Sequence, residues 1–255
     1  MSEHGGDGSA LDEDLRVPSC ERCPALVESR SRIVDGVGPT NADLLFVGEG
    51  PGATEDEEGE PFVGRSGDVL DEALRDAGLA RADVRITNCV RCRPPDNRDP
   101  TTEELANCRG YLESEIDRLD PELIVTLGKV PSEHLLDRSV AITGESGDVV
   151  DARLAGVSRR VLLSVHPAAT LYDRSQRDGF FETIARAADA TEPTQNSPSH
   201  FFGSNRPRIA SMSPFPSCSP GRSRARMREE MSSMPRTTMN TITSPAAVCW
   251  NSKRS

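Results

Sequence analysis

Four short apolar runs, rich in Leu and β-branched residues, punctuate the first 190 positions: 43–47 (DLLFV), 84–90 (VRITNCV), 122–127 (ELIVTL) and 160–165 (RVLLSV). Segments with helical spacing separate the first three, the pattern of βαβ units around a buried parallel sheet. Leu70, Leu74 and Ala77 form one stripe on a helix of about 66–77 that Gly78 closes. Thr101 followed by Glu104 is a capping box, and Leu105, Cys108, Leu112, Ile116 and Leu119 then fall on one helical face before Pro121 ends the helix. A short helix is predicted near 130–137, an extra hairpin over 148–157, and a last helix over 168–188 carrying Phe180, Phe181, Ile184 and Ala188. The pattern predicts an α/β fold, a three-layer α/β/α sandwich with a four-stranded, mostly parallel central sheet. In such sheets ligands bind beyond the carboxyl ends of the strands. Attention therefore falls on Gly48-Glu49-Gly50-Pro51-Gly52, on Asn88 to Arg98, on Gly128-Lys129 and on His166-Pro167.

Composition divides the chain. Its 255 residues carry 30 basic and 41 acidic side chains, a formal charge of −11. Residues 1–190 hold 21 basic and 38 acidic residues, a net of −17, whereas 191–255 hold 9 and 3, a net of +6. The second part has 13 Ser and 8 Pro, lacks Asp, and contains every Met but Met1, a composition too poor in apolar residues for a core. Residues 1–14 are thus expected to be a disordered acidic N-terminus, 15–190 the folded domain, and 191–255 a disordered basic Ser/Pro/Arg-rich tail. That tail reads either as an arm offsetting the domain's charge or, the favoured reading, as a frameshifted stretch. About 190 residues suffice for one domain with its own core. No run reaches membrane-spanning length and no signal peptide precedes the domain, so a cytoplasmic location and reduced cysteines are expected. Only Lys129 and Lys253 are Lys. One Lys among 38 carboxylates fits a protein working at molar salt, where the Debye length shrinks to about 3 Å; a GC-rich genome explains the missing Lys but not the acidic excess.

Four groups of residues carry candidate chemistry. Glycines around Pro51 let backbone N–H groups approach a ligand, but neither GxGxxG nor a P-loop is present. Glu49 and Glu55 suit a water or a developing cation better than a phosphate, and Phe62 stands in a Gly/Pro-rich loop where an aromatic has little core to fill. His166 ends the fourth run, facing the same rim as Glu49 and Asn88; a lone His is otherwise more often structural. Cys20-x2-Cys23 with the distant Cys92 and Cys108 fits a four-thiolate site for zinc or an iron–sulfur cluster, unless Cys108 is merely a small core residue. Strand alternation turns Cys89 to the face opposite Asn88 and Val90, so Cys92 is the better ligand. Finally, Arg91, Arg93 and Arg98 crowd a Pro-rich loop, a local reversal of sign suited to DNA phosphates, if not spent on surface ion pairs.

Taken together, Cys20-x2-Cys23-Pro24, GEGPG at 48–52, PFVGRSG at 61–67, ITNCVRCRPPDNR at 86–98, Cys108, LGK at 127–129 and HPA at 166–168 resemble the family 4 uracil-DNA glycosylases, in order over residues 20–188. Glu49 distinguishes this pattern from family 5, whose first motif usually lacks that carboxylate. The sequence departs from the family at Cys89, usually aliphatic, and at Arg91, often Lys. The resemblance implies a structural [4Fe–4S] cluster on Cys20, Cys23, Cys92 and Cys108. It also implies a uracil pocket of Glu49, Gly50, Pro51, Phe62, Asn88 and His166. Catalysis is expected from Glu49, Glu55, Asn97 and His166, and DNA-phosphate contact from Arg65, Arg91, Arg93 and Arg98. The expected substrate is uracil in single- or double-stranded DNA, acted on by a monomer with no membrane attachment. A family 5 or hypoxanthine-type glycosylase of the same fold is the nearest alternative. A non-catalytic metal-stapled DNA-binding module is a second, although it would not need Glu49, Phe62, Asn88 and His166; a sugar- or nucleotide-binding α/β protein is remoter.

Overall fold

The computed structural model describes residues 15–191; the expectations for the two termini lie outside them. The described elements are α1 (Pro24–Ser29), β1 (Leu44–Gly48), α2 (Ala53–Glu58), α3 (Arg65–Asp76), β2 (Arg85–Asn88), α4 (Thr102–Leu119), β3 (Leu123–Leu127), α5 (Lys129–Leu136), α6 (Ile142–Glu145), β4 (Val149–Leu154), β5 (Val157–Ser164) and α7 (Arg174–Asp189). Five strands, not four, form the sheet, in the order β2-β1-β3-β5-β4. The first four in that order run parallel, and β4 joins antiparallel at the edge. The extra strand comes from the predicted hairpin: Ala155 and Gly156 both take positive φ, 49° and 83°, which closes β4 onto β5 through a two-residue turn. β4 alternates buried and exposed side chains, whereas β1, β2 and β3 are buried throughout, as strands covered on both faces must be.

Alternation along β1 builds the layers. Leu44 and Phe46 join Leu70, Leu74, Phe180 and Ile184 from α3 and α7 on one face; Leu45 and Val47 join Leu112, Ile116 and Leu135 from α4 and α5 on the other. The capping box of α4 forms as expected, with Glu104 N–H donating to Thr101 Oγ1 at 3.2 Å and Thr101 N–H to Glu104 Oε2 at 2.8 Å. The predicted last helix is broken. Residues Pro167–Leu171 make a 3-10 turn, and α7 starts only at Arg174, where the Asp173 carboxylate accepts the N–H of Ser175 at 2.9 Å. Beyond the outer edge of β2, Val37 exchanges two backbone hydrogen bonds with Ile86.

One buried ionic network ties these layers together. Glu115 of α4 is fully buried and accepts from Arg85 Nε at 2.8 Å, Thr87 Oγ1 at 2.9 Å and Arg91 Nη2 at 2.7 Å. Arg91 Nη1 also reaches Asp35 at 2.7 Å and the carbonyl of Leu15 at 3.2 Å, while Arg85 Nη1 donates to the carbonyl of Gly38 at 2.7 Å. Burial alone would lower the pKa of the Arg91 guanidinium, but Glu115 and Asp35 outweigh it and raise it. Arg91 is therefore a buried strut, and its expected contact with DNA phosphate is corrected: its charge is spent inside the fold. Removing Glu115 takes from two desolvated guanidinium groups the buried carboxylate they share. Glu115→Ala is expected to cost about 3–5 kcal/mol of folding stability, measured as a lowered denaturation midpoint against the unsubstituted chain; an unchanged midpoint would contradict the network's role.

Candidate active site

At the carboxyl end of the sheet lies a cavity of about 150 Å³ lined by Gly50, Gly52, Glu55, Phe62, Ser66, Asn88 and His166. It is smaller than the clefts that hold drug-sized ligands and suits a single planar ring. Its walls are set by strand register. Gly48 and Asn88 are paired neighbours at the ends of β1 and β2, and a Cβ at Gly48 would lie 2.4 Å from Asn88 Oδ1 and 2.5 Å from the Phe62 ring. Only glycine lets those two side chains close over the strand end. Asn88 is buried, and its Oδ1 has no hydrogen-bond partner. A buried acceptor left open in this way costs about 1–3 kcal/mol, so it marks a place kept for a donor from outside.

Phe62 adopts a left-handed backbone (φ 56°), a strained conformation for an aromatic residue. The loop tightens behind it: a Cβ at Gly67 would fall 1.8 Å from the Phe62 carbonyl oxygen. The ring is thereby held 5.9 Å from that of His166, tilted by 32°. Glu55, on α2, is buried and accepts N–H groups from Gly52 and Gly64, each at 3.1 Å, one to each carboxylate oxygen. It stands close enough to His166 to act on it electrostatically.

His166 follows β5 and accepts the N–H of Ala168 at Nδ1, 3.1 Å away. That bond places the proton of the neutral ring on Nε2. Desolvation pushes the pKa of His166 down to about 4, with Glu55 only partly opposing it. The site thus offers a neutral imidazole N–H donor, an open amide acceptor, an aromatic face and a fixed carboxylate around one small cavity.

Two expected participants are not brought to it. Glu49 does not line the cavity; burial and the neighbouring Asp99 raise its pKa to about 7, and its charge also acts on Cys89. The strand-end backbone places the neighbouring Gly50 at the cavity, while Pro51 is buried beside it. Asn97 lies exposed on a turn with φ 53°, its amide oxygen accepting from Arg93 Nε at 2.8 Å. Both were expected to take part in catalysis, and Glu49 to line the pocket as well; both stand at its periphery. Ser66, overlooked in the sequence, lines the cavity from the first turn of α3; its place in the GRSG stretch after Phe62 was the available signal. Leu171 and Tyr172 were also missed. They sit 39% and 82% exposed at the end of the turn that begins at His166.

Of the other arginines, Arg65 is exposed, whereas Arg98 forms a two-pronged pair with Glu104 at 2.7 and 2.8 Å. Arg98 is the main reason the Glu104 carboxyl sits down at about 2. The four predicted thiols are electrostatic neighbours: Cys20 acts on Cys23, Cys92 and Cys108, and Cys92 on Cys108. Burial raises the pKa of Cys23, Cys92 and Cys108, the last to about 11. Cys89 is sealed instead among Leu45, Val47, Leu112 and Ile116, on the other side as alternation predicted. Among the described residues, no three His, Cys, Asp or Glu side chains are drawn together tightly enough for a single ion.

The state of His166 gives a direct test. NMR of the ring is expected to show the Nε2-protonated neutral tautomer from pH 8 down to about 4; a midpoint at the ordinary 6.5 would contradict the geometry. Because the unfolded chain takes up this proton first, the neutral ring's contribution to stability is lost as pH falls from 6.5 through about 4.

Comparison with known proteins places this arrangement. The model of the uracil DNA glycosylase superfamily matches residues 36–188. The type-4 uracil-DNA glycosylase of Archaeoglobus fulgidus is 38% identical over 193 residues, covering 72% of this chain and 96% of that protein. That of Thermotoga maritima is 44% identical over 161 residues, covering 63% of this chain and 82% of the relative. The type-5 uracil-DNA glycosylase of Pyrobaculum aerophilum is 34% identical over 185 residues, 60% of this chain and 80% of its own. At such identity and coverage the relationship is one of membership: the chain belongs to the uracil DNA glycosylase superfamily, among its type-4 enzymes.

Proposed function

We propose that the cavity receives a uracil base extruded from DNA and that the chain hydrolyses its N-glycosidic bond, leaving an abasic site and free uracil. The chain is a DNA repair hydrolase of N-glycosyl bonds. The observation that carries the assignment of the pocket is the open, buried Oδ1 of Asn88. Uracil offers N3–H to such an acceptor, whereas cytosine presents a lone pair at the same atom. Phe62 supplies the face on which the extruded ring stacks.

Bond cleavage then follows from the electrostatics. As the C1′–N1 bond stretches, its electron pair moves onto the base and C1′ becomes an oxocarbenium-like cation. His166 donates Nε2–H to uracil O2, where the negative charge collects, and remains neutral throughout. Glu55, fixed by two backbone N–H groups, faces the cation and orients the water whose oxygen bonds to C1′. The water's proton passes to Glu55 or to solvent, and the departing base regains a proton from solvent. Glu49 is set back against Asp99 and tunes the charge beside the site. Asn97, Arg93 and Arg65 belong to the rim that meets the DNA backbone. Leu171 and Tyr172, exposed beside His166, suit the gap that an extruded base leaves in a duplex.

Cys20, Cys23, Cys92 and Cys108 would hold a [4Fe–4S] cluster. When bound, the cluster would cross-link the N-terminal segment, the loop after β2 and α4, and no step of the hydrolysis passes through it. The mutual influence of the four thiols, from three separate stretches of chain, supports this set. The acidic excess supports a cytoplasm of high ionic strength. Among the described residues no helix is long and apolar enough to cross a membrane.

His166→Ala and Asn88→Ala are each expected to lower uracil release from an oligonucleotide about 10²–10³-fold without loss of fold; unchanged release by both would overturn the pocket assignment. The same assay run on hypoxanthine and thymine mismatches separates the type-5 alternative, which would show release there of the same order as on uracil. Tyr172→Ala should slow release from duplex more than from single strands. Excision measured from 0.1 to 3 M KCl is expected to persist at high salt; a steady fall throughout would remove the high-salt reading.

A further inference from the structure

Two of the four thiols assigned above accept a hydrogen bond from a side chain of the protein, and the two donors come from different elements. Arg30, immediately after α1, donates from Nη1 to Cys92 Sγ at 2.8 Å and from Nη2 to the carbonyl of Cys20 at 2.7 Å. Asn107, on α4, donates from Nδ2 to Cys23 Sγ at 3.5 Å. Tyr111, one turn further along α4, stands beside Cys20, and the two groups act on each other electrostatically. Arg91, on the loop after β2, acts on Cys108 electrostatically and favours its thiolate.

These groups are themselves held in place. Arg22 Nη1 donates to the carbonyl of Asn107 at 3.1 Å, and Asn107 Nδ2 returns a bond to the carbonyl of Arg22 at 3.3 Å. The Arg22 guanidinium lies over the Tyr111 ring, 4.8 Å from its centre, so one side chain positions both Asn107 and Tyr111. Arg91 is anchored from the other side by Glu115 and Asp35. Nothing in glycosidic hydrolysis uses Arg30, Asn107 or Tyr111. For separate thiols such a set is excessive, because a thiol is a weak acceptor and solvent reaches three of the four residues. For thiolates sharing a metal centre it has a purpose. N–H···S and O–H···S bonds withdraw electron density from the sulfur, and a cation beside it offsets the negative charge of a reduced centre.

We infer that Arg30 and Asn107, with Tyr111 held beside Cys20, form a polar cage around the cysteine sulfurs that raises the reduction potential of the bound cluster and slows its oxidative loss. This rests on the reading of Cys20, Cys23, Cys92 and Cys108 as cluster ligands. The side chains of the cage are positioning residues: they act through the sulfurs and touch no substrate. Arg30 contributes most, since it brings a full charge to within hydrogen-bond distance of a sulfur and also binds the two separate cysteine-bearing segments to each other.

The test uses the full chain purified without oxygen, with iron and sulfide content, visible absorbance and a one-electron spectroelectrochemical titration as readouts. Tyr111→Phe and Asn107→Ala remove one half-exposed polar group each and are expected to load iron as the unsubstituted chain does. At a fixed potential each should shift the reduced-to-oxidised ratio toward oxidised, by up to about tenfold, or 59 mV for a one-electron couple, and each should bleach faster in air. Arg30→Met should shift it further, and Arg30→Lys should recover part of the shift by restoring charge without the paired donors. Fully loaded Tyr111→Phe and Asn107→Ala with unchanged potential and bleaching would overturn the inference while leaving the cluster intact, even if the Arg30 variants fail to fold. An unsubstituted chain that carries zinc and no iron would overturn the cluster reading itself, and the cage with it.

Discussion

The carboxylate of Glu115 is the constraint on which the site depends. It is fully buried, where an unpaired charge would be intolerable, and it is met by two guanidinium groups and a hydroxyl. Two of those partners, Arg85 and Thr87, belong to the strand that ends in Asn88, and the third begins the loop that carries Cys92. α4, which contributes Glu115, also contributes Cys108. The network thus aligns the Asn88 amide and the cysteine-bearing segments against one helix. Hydrophobic packing, being non-directional, would tolerate small slides of β2 along α4; three short hydrogen bonds to one carboxylate do not.

Charge is handled in opposite ways at the two ends of this arrangement. Around Glu115 the protein pairs buried ions. Around His166 it removes ionisation: desolvation and the Ala168 N–H hold the ring neutral, so it offers one fixed donor. A neutral donor is suited to an oxyanion because it stabilises the developing charge without first attracting a counter-ion or water into the cavity. The strained backbone of Phe62 belongs to the same economy, with rigidity of the loop set against the cost of an unfavourable φ.

Much of this was legible in the residues. Apolar runs of four to eight positions located the parallel strands, and the capping box at Thr101 located α4, because both signals are local. The strand-end positions of Asn88 and His166 followed from the same runs. What escaped was the direction of side chains leaving irregular backbone. Glu49 and Asn97 flank the correct loops, yet the turn geometry aims them at Asp99 and Arg93 instead of the cavity. Arg91 was misjudged, and Glu115 passed over, for a different reason: in sequence, charged residues look like surface, and only the three-dimensional meeting of the loop after β2 with α4 shows that they neutralise each other inside. The break before α7 was readable as an Asp173 cap, but the apolar spacing of 168–188 concealed it.

The treatment of the sheet margins limits how the molecule can associate. On one side Val37 already occupies the hydrogen-bonding groups of Ile86. On the other, β4 presents Asp151 and Arg153 outward in alternation with buried Ala152 and Leu154. An incoming strand from a second molecule would have to displace an existing bridge or desolvate charged side chains. Growth of the sheet by edge-to-edge addition is thereby discouraged at both margins, so the crowding of an unfolded neighbour does not find a ready template in the native state.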